Sequence, residues 1–223
     1  MSSNRLTKEE LRHDAFVDST ARATAYLQKN FMAVLVGLAA VAVVVIVAVF
    51  IMQSRQSSQV QAARTLFAVQ SAYSSGQYSE ALLQMDELLG RFGGTDQGRD
   101  ALYLAGASHL ALGEHEDAIM RFESYLDVAS AGQYATSARL GLGLAYEGQG
   151  DNELAVENFR AVREAVPVES PEAVQASLGE ARVLQKMGRI DDAIAVLTPL
   201  TDVDDFSSRQ EIQNQLTTLE ALR

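Results

Sequence analysis

Cysteine and tryptophan are absent, and histidine occurs only at His13, His109 and His115. Without cysteine the chain has neither a disulfide framework nor a thiolate metal site. Proline occurs three times, first at Pro167, and Gly37 is the single glycine before Gly76. The first 75 residues therefore hold almost nothing that breaks a helix. Positive charge is also scarce. Residues 1–30 carry five Lys+Arg against four Asp+Glu, and residues 53–223 carry 13 against 25, so the segments stand at +1 and −12 within a chain of −11. A domain at −12 repels nucleic-acid phosphates and anionic headgroups, which disfavours nucleic-acid binding.

Apolar sequence, in contrast, is concentrated in one place. Phe31 to Met52, FMAVLVGLAAVAVVVIVAVFIM, is 22 residues without a charge. As a helix at ~1.5 Å per residue it reaches about 33 Å, enough to cross a hydrocarbon core of ~30 Å. Ala40-Val41-Ala42 has the small-x-small form of a signal cleavage site, but the run starts late and continues ten residues beyond it. An uncleaved transmembrane helix over residues 31–52 is the expectation. Basic residues flank it evenly, Arg22 and Lys29 before and Arg55 and Arg64 after, while the short tail adds Arg5, Lys8 and Arg12. Long domains translocate largely regardless of charge, so the N-terminus is expected in the cytoplasm and the large domain across the membrane.

Within the tail, Thr7-Lys8-Glu9-Glu10 has the capping-box form, and Leu11, Ala15, Phe16, Ala23, Tyr26 and Leu27 recur at roughly helical spacing. Residues 1–30 read as a cytoplasmic helical tail leading into the span. A helix lying on the membrane or on a partner is the alternative, weakened by the lack of basic enrichment. After the span, QSRQSSQVQAAR contains no strong breaker. The sequence predicts a juxtamembrane helix over 53–75 that runs into the large domain, weakest at Gln53–Ser58. Such a helix would hold that domain at a fixed height and angle over the membrane.

One hexad recurs in the large domain: GQYSEA from Gly76, GEHEDA from Gly113, GDNELA from Gly150 and GRIDDA from Gly188, with glycines 37, 37 and 38 residues apart. A period of this length in a helix-rich sequence marks a solenoid, with each Gly ending one helix and each Ala opening the next at close packing distance. These residues resemble the tetratricopeptide repeat (TPR), whose unit is two antiparallel helices. The third unit matches most fully, through Leu142, Gly143, Tyr146, Gly150, Ala155, Phe159 and Pro167. The second keeps Gly106, Gly113, Ala118 and Phe122; the first keeps Gly76, Tyr78, Ala81 and Met85; the fourth keeps Ala181, Gly188, Ala193 and Leu197. The family's first-helix tryptophan is missing, and its last small position is filled by Leu88, Tyr125, Val162 and Leu200. The expected fold is all-α: an N-terminal transmembrane helix, then an α-solenoid of about four TPR-like helix pairs over 62–205. Ser170-Pro171-Glu172 reads as a helix start, Pro199 ends the last paired helix near Thr198, and a C-terminal capping helix over 206–223 has Phe206, Ile212, Leu216 and Leu219 on one side.

No motif carries chemistry. His109 and His115 lie six apart without ligand spacing, and there is no Ser-His-Asp set, phosphate loop or metal box. An enzyme is not expected, nor is a cofactor or a resident metal. The family resemblance implies a concave binding surface lined by the first helix of each pair: Leu66, Gln70, Tyr73, Tyr103, Ala107, Leu110, Leu140, Leu144, Glu147, Leu178, Arg182 and Gln185. An open surface of this kind suits an amphipathic helix or an unfolded segment and not a peptide carboxylate, since a basic cluster is missing. The alternative is that the long repeats cover these residues internally. The arrangement as a whole resembles the single-span ancillary subunits of bacterial Sec translocons. That resemblance implies an inner-membrane protein with a periplasmic domain whose partners are translocon subunits, periplasmic chaperones or exported chains. Two other readings stay open: an envelope scaffold in cell division, outer-membrane assembly or polysaccharide export, and a self-assembling homo-oligomer, for which Ala33 and Gly37 offer one small-xxx-small pair.

Overall fold

The structure, a computed structural model, describes residues 29–201 and 205–223. The capping box at Thr7 and the rest of the tail's helical pattern lie outside the described residues. Among those described there are nine α-helices, one 3₁₀ turn and no strand. They are α1 (Phe31–Ser74), α2 (Tyr78–Phe92), α3 (Asp96–Leu112), α4 (His115–Ala129), α5 (Ala135–Gln149), α6 (Asn152–Ala165), α7 (Pro171–Lys186), α8 (Ile190–Leu197), the 3₁₀ turn Thr198–Leu200, and α9 (Phe206–Leu222).

The chain divides into two units, Met1–Gln56 and Ser57–Arg223. In the first, the large apolar side chains of α1 lie open; Phe31, Val36, Ile46 and Phe50 are all more than half exposed. A soluble protein rarely leaves an apolar surface of that extent uncovered. Among the described residues α1 is the one helix long and apolar enough to cross a membrane. Gln53–Ser58, the stretch expected to be weakest, is helical.

In the second unit the helices pair in chain order, and the pairs stack as a TPR-like solenoid. The turn inside each pair is set by the hexad glycine. Gly76, Gly113, Gly150 and Gly188 are the positive-φ residues among those described, with φ of 73°, 78°, 93° and 75°. An L side chain resists that conformation, and glycine accepts it. At Gly113 the Gly113 N–H donates to the Leu110 carbonyl (3.0 Å) and the Glu114 N–H to the His109 carbonyl (2.9 Å). This is the Schellman pattern, which satisfies the last carbonyls of α3. The same outer bond closes the others: Gln77 to Ala72, Asp151 to Tyr146 and Arg189 to Leu184. Between pairs, Thr95 and Ser170 cap α3 and α7 through their hydroxyls, and Asp205 caps α9.

Two phenylalanines knit the pairs together. Phe122 of α4 is wedged between Gly106 of α3 and Gly141 of α5, and Phe159 of α6 between Gly143 of α5 and Gly179 of α7; a Cβ on any of these glycines would lie under 3.0 Å from the ring. In the second and third pairs the second helix thus drives a ring into the first helix of its own pair and of the next. In the first pair Met85 serves instead, buried among Ala62, Leu66, Val69 and Ala72 of α1. The core is segmented along the stack into three clusters, the last spanning α6 to α9 and closed by Ile212 and Leu219. The Pro199 expectation holds, because α8 stops at Leu197.

Candidate functional site

The first helices α1, α3, α5 and α7 line a groove of about 410 Å³. Of the twelve residues expected to line a binding surface, six line this groove: Tyr73, Tyr103, Ala107, Leu110, Leu140 and Leu144. Leu144 is the most open of these apolar side chains, at 38% exposure. The other six lie elsewhere. Leu66 and Leu178 are core residues, 8% and 7% exposed, because their helix faces turn toward the paired helices. Gln70 and Gln185 are half-buried outside the groove lining. Glu147 and Arg182 join each other. The Arg182 Nη2 donates to Glu147 Oε2 (2.7 Å), its Nε to Oε1 (2.8 Å), and Lys186 Nζ adds a third bond to Oε1 (2.6 Å).

The groove wall is aromatic on one side. Tyr103 stacks on Tyr134 with centroids 4.4 Å apart and planes 7° from parallel, and meets Phe122 and Tyr125 at about 6 Å. Tyr73 packs edge-on against Tyr78. Burial, then the nearby Tyr73, pushes the Tyr103 phenol above its ordinary range, and burial does the same to Tyr73. Both hydroxyls therefore stay protonated at neutral pH and remain donors. Polar contributions are few: the Ser137 hydroxyl, bonded to Tyr103, the Gln175 amide and the Glu172 carboxylate.

Seven lining residues were not foreseen: Ala111, Phe122, Ser137, Gly141, Pro171, Glu172 and Gln175. Ser170-Pro171-Glu172 is legible as a helix start, and it is one; its second role, as the end wall of the groove, depends on how α7 stacks on α5. The sequence carries no sign of that contact.

Outside the groove, several charged side chains join helices through bridges. Glu180, fully buried on α7, accepts from Arg160 Nε and Nη2 and from Arg163 Nε on α6 at 3.1–3.3 Å. Burial, then a hydrogen bond to Glu123 Oε1 (2.8 Å), pushes the Tyr146 phenol up to about 12. One group of ligand-type side chains comes together at the α3–α4 turn: atoms of His109, Glu114 and Asp117 lie within 4.8 Å of one another. His109 Nδ1 and Glu114 Oε2 are 2.7 Å apart, a bond across the turn that explains the pair without a metal. The spacing of the two histidines gave no hint of it, since His115 instead packs over Gly148.

Comparison with known proteins matches the tetratricopeptide repeat to residues 68–135 and 140–198, more than half of the chain. The chain belongs to the tetratricopeptide-repeat family. This TPR chain shares its fold with solved structures of low sequence identity. A kinesin light chain candidate of Podosopora anserina with nearly identical TPR-like repeats is 17% identical with a TM-score of 0.61, covering 73% of this chain and 86% of its own. MamA of AMB-1 is 18% identical (TM-score 0.55; 72% and 84%), and a thermophilic TPR protein of Thermus thermophilus is 20% identical (0.51; 72% and 81%). No curated relative matches the chain in sequence.

Proposed function

We propose that this TPR scaffold is anchored in a bacterial inner membrane by residues 31–52 and presents its repeats on the periplasmic side to protein partners at the Sec translocon. The observation that carries the anchored reading is the 22-residue uncharged run, whose large side chains lie open among the described residues. In water that exposure is costly, and in hydrocarbon it is favourable. The basic residues of the short tail support a cytoplasmic N-terminus. The partner-binding reading rests on the groove, an open apolar surface in a family built for protein contacts. The translocon is favoured by the order of parts: short tail, one span, then a repeat domain able to hold a chaperone or an emerging chain.

Photo-crosslinking from Leu144 in native membranes tests this proposal. Recovery of channel subunits, periplasmic chaperones or exported chains is the expected result. Recovery of only cell-wall or outer-membrane factors would overturn the translocon assignment and favour an envelope scaffold. Protease protection of residues 57–223 in spheroplasts would reverse the orientation.

A further inference from the structure

The groove has one ionic group. Of the residues that line it, Tyr73, Tyr103, Leu110, Leu140 and Leu144 are aromatic or branched apolar, and Glu172 alone carries a charge. Glu172 sits in the first turn of α7 and has no ion-pair partner among the described residues. Lysine and arginine are missing from the lining altogether. On α7, Arg182 and Lys186 are both committed to Glu147. Around the groove the balance is the same: residues 57–175 carry seven Lys+Arg against 17 Asp+Glu.

From this distribution we infer that the groove selects a basic amphipathic segment, one that buries two or more bulky apolar side chains against the Leu140–Leu144 wall and sets a Lys or Arg against Glu172. This inference rests on the scaffold reading above and adds the chemistry of the occupant. Two properties follow from the lining. The apolar wall supplies most of the attraction, since burying side chains of Leu size is favourable whatever their neighbours. The carboxylate supplies the sign. An acidic segment would bring a second negative charge beside Glu172 in a partly desolvated site, whereas a cation there gains a charge-assisted hydrogen bond. The phenols of Tyr73 and Tyr103 and the Gln175 amide offer donors to the carbonyls of the segment. A second copy of this chain is a poorer occupant. Its own repeat domain is acidic, and it would have to approach with like charge.

The missing tryptophan provides the assay. The full chain is placed in zwitterionic nanodiscs and titrated with single-tryptophan peptides of about four helical turns, ~14 residues at 3.6 per turn. One peptide is Leu/Lys, a second is its Leu/Glu counterpart, and a third is Ser/Lys; empty discs are the control. The expected result is a blue-shifted, saturable signal with Leu/Lys, at least ~10-fold weaker binding of Leu/Glu, and none of Ser/Lys. Leu144→Asp, at the most open of the large apolar positions of the lining, should abolish the signal. Glu172→Lys should reverse the preference between Leu/Lys and Leu/Glu. Three outcomes overturn the inference. A Leu/Lys preference that survives both substitutions means general attraction to an acidic surface. A Leu/Glu preference means that the groove is used with the other sign. An absence of peptide binding, with a dimer by mass photometry, means that a second copy fills the groove. In each of these cases the Leu144 crosslinks to partner proteins decide the scaffold reading separately.

Discussion

At the scale of single residues, glycine does two different jobs here, and substitution separates them. At Gly113 the backbone has φ of 78° and nothing lies within 4 Å of where a Cβ would stand. The cost of Gly113→Ala is therefore conformational, about 1 kcal/mol, and Gly113→Asn should recover most of it because Asn tolerates the left-handed region. At Gly141 the backbone is helical and the obstacle is the Phe122 ring. There Ala gains up to ~1 kcal/mol of helix propensity but loses ~1–3 kcal/mol to overpacking around a buried ring, and Asn, being larger, is worse still. Urea midpoints of the four variants should rank Gly113→Asn above Gly113→Ala, and Gly141→Ala above Gly141→Asn. If Asn hurts equally at both sites, the distinction is wrong. The turn glycines were legible from the 37-residue spacing, since a glycine that recurs just before an acidic helix start marks a left-handed helix end. The ring-facing role of Gly141 and Gly179 was not, because each faces a phenylalanine of the preceding pair, and sequence alone does not say which ring enters which face.

At the scale of elements, helices are strapped by ion pairs that the sequence displayed only as unpartnered charges. Glu147 on α5 holds Arg182 and Lys186 on α7. Burial alone would raise its pKa, but the hydrogen bonds and charges of the two cations outweigh burial and leave it lowered. A carboxylate with a folded pKa below its unfolded one adds stability above the unfolded value, near pH 4.5, and that stability is lost as pH falls through the folded value. Glu147→Gln should thus cost about 1 kcal/mol at pH 7, a figure kept low because both cations are half exposed. The gap between variant and parent should close as the pH is taken below that unfolded value and through the lowered folded one in thermal melts. A gap that widens in acid would refute the assignment. The α6–α7 clasp makes a different prediction. Glu180 keeps one arginine if the other is lost, but the double variant Arg160→Ala/Arg163→Ala strands a fully buried carboxylate. Double-mutant-cycle analysis should show the pair costing more than the sum of the singles, by roughly 0.5–3 kcal/mol. Additive losses would mean that solvent reaches Glu180 once one arginine is gone. These straps explain why two of the expected lining residues, Glu147 and Arg182, left the groove: position on the first helix was readable, but whether Arg182 points to a ligand or to Glu147 depends on a residue 35 positions away.

At the scale of the whole molecule, the repeat architecture was readable before any coordinate, because a period repeated four times fixes the helix pairs without knowledge of their contacts. What the period does not reveal is how stability is shared along the stack. The core falls into three clusters, the last of them spanning α6 to α9. Its cover is α9, whose Ile212 and Leu219 are fully buried against the α7–α8 layer. Removing either side chain to Ala should cost ~2–5 kcal/mol, the range for a large-to-small change at a packed site. In a stacked array that loss does not spread evenly. Each repeat is held by its own packing and by its immediate neighbours, so a defect at one end is felt most by the repeat it touches. Amide exchange of Leu219→Ala in the full chain should therefore show lost protection in α7, α8 and α9, a smaller change in α5 and α6, and none in α2 and α3. The reciprocal variant, Met85→Ala in the first cluster, should give the opposite gradient, with α9 unchanged. Uniform loss of protection in either variant would show that the solenoid opens as one cooperative body, and the three clusters would then be a single core.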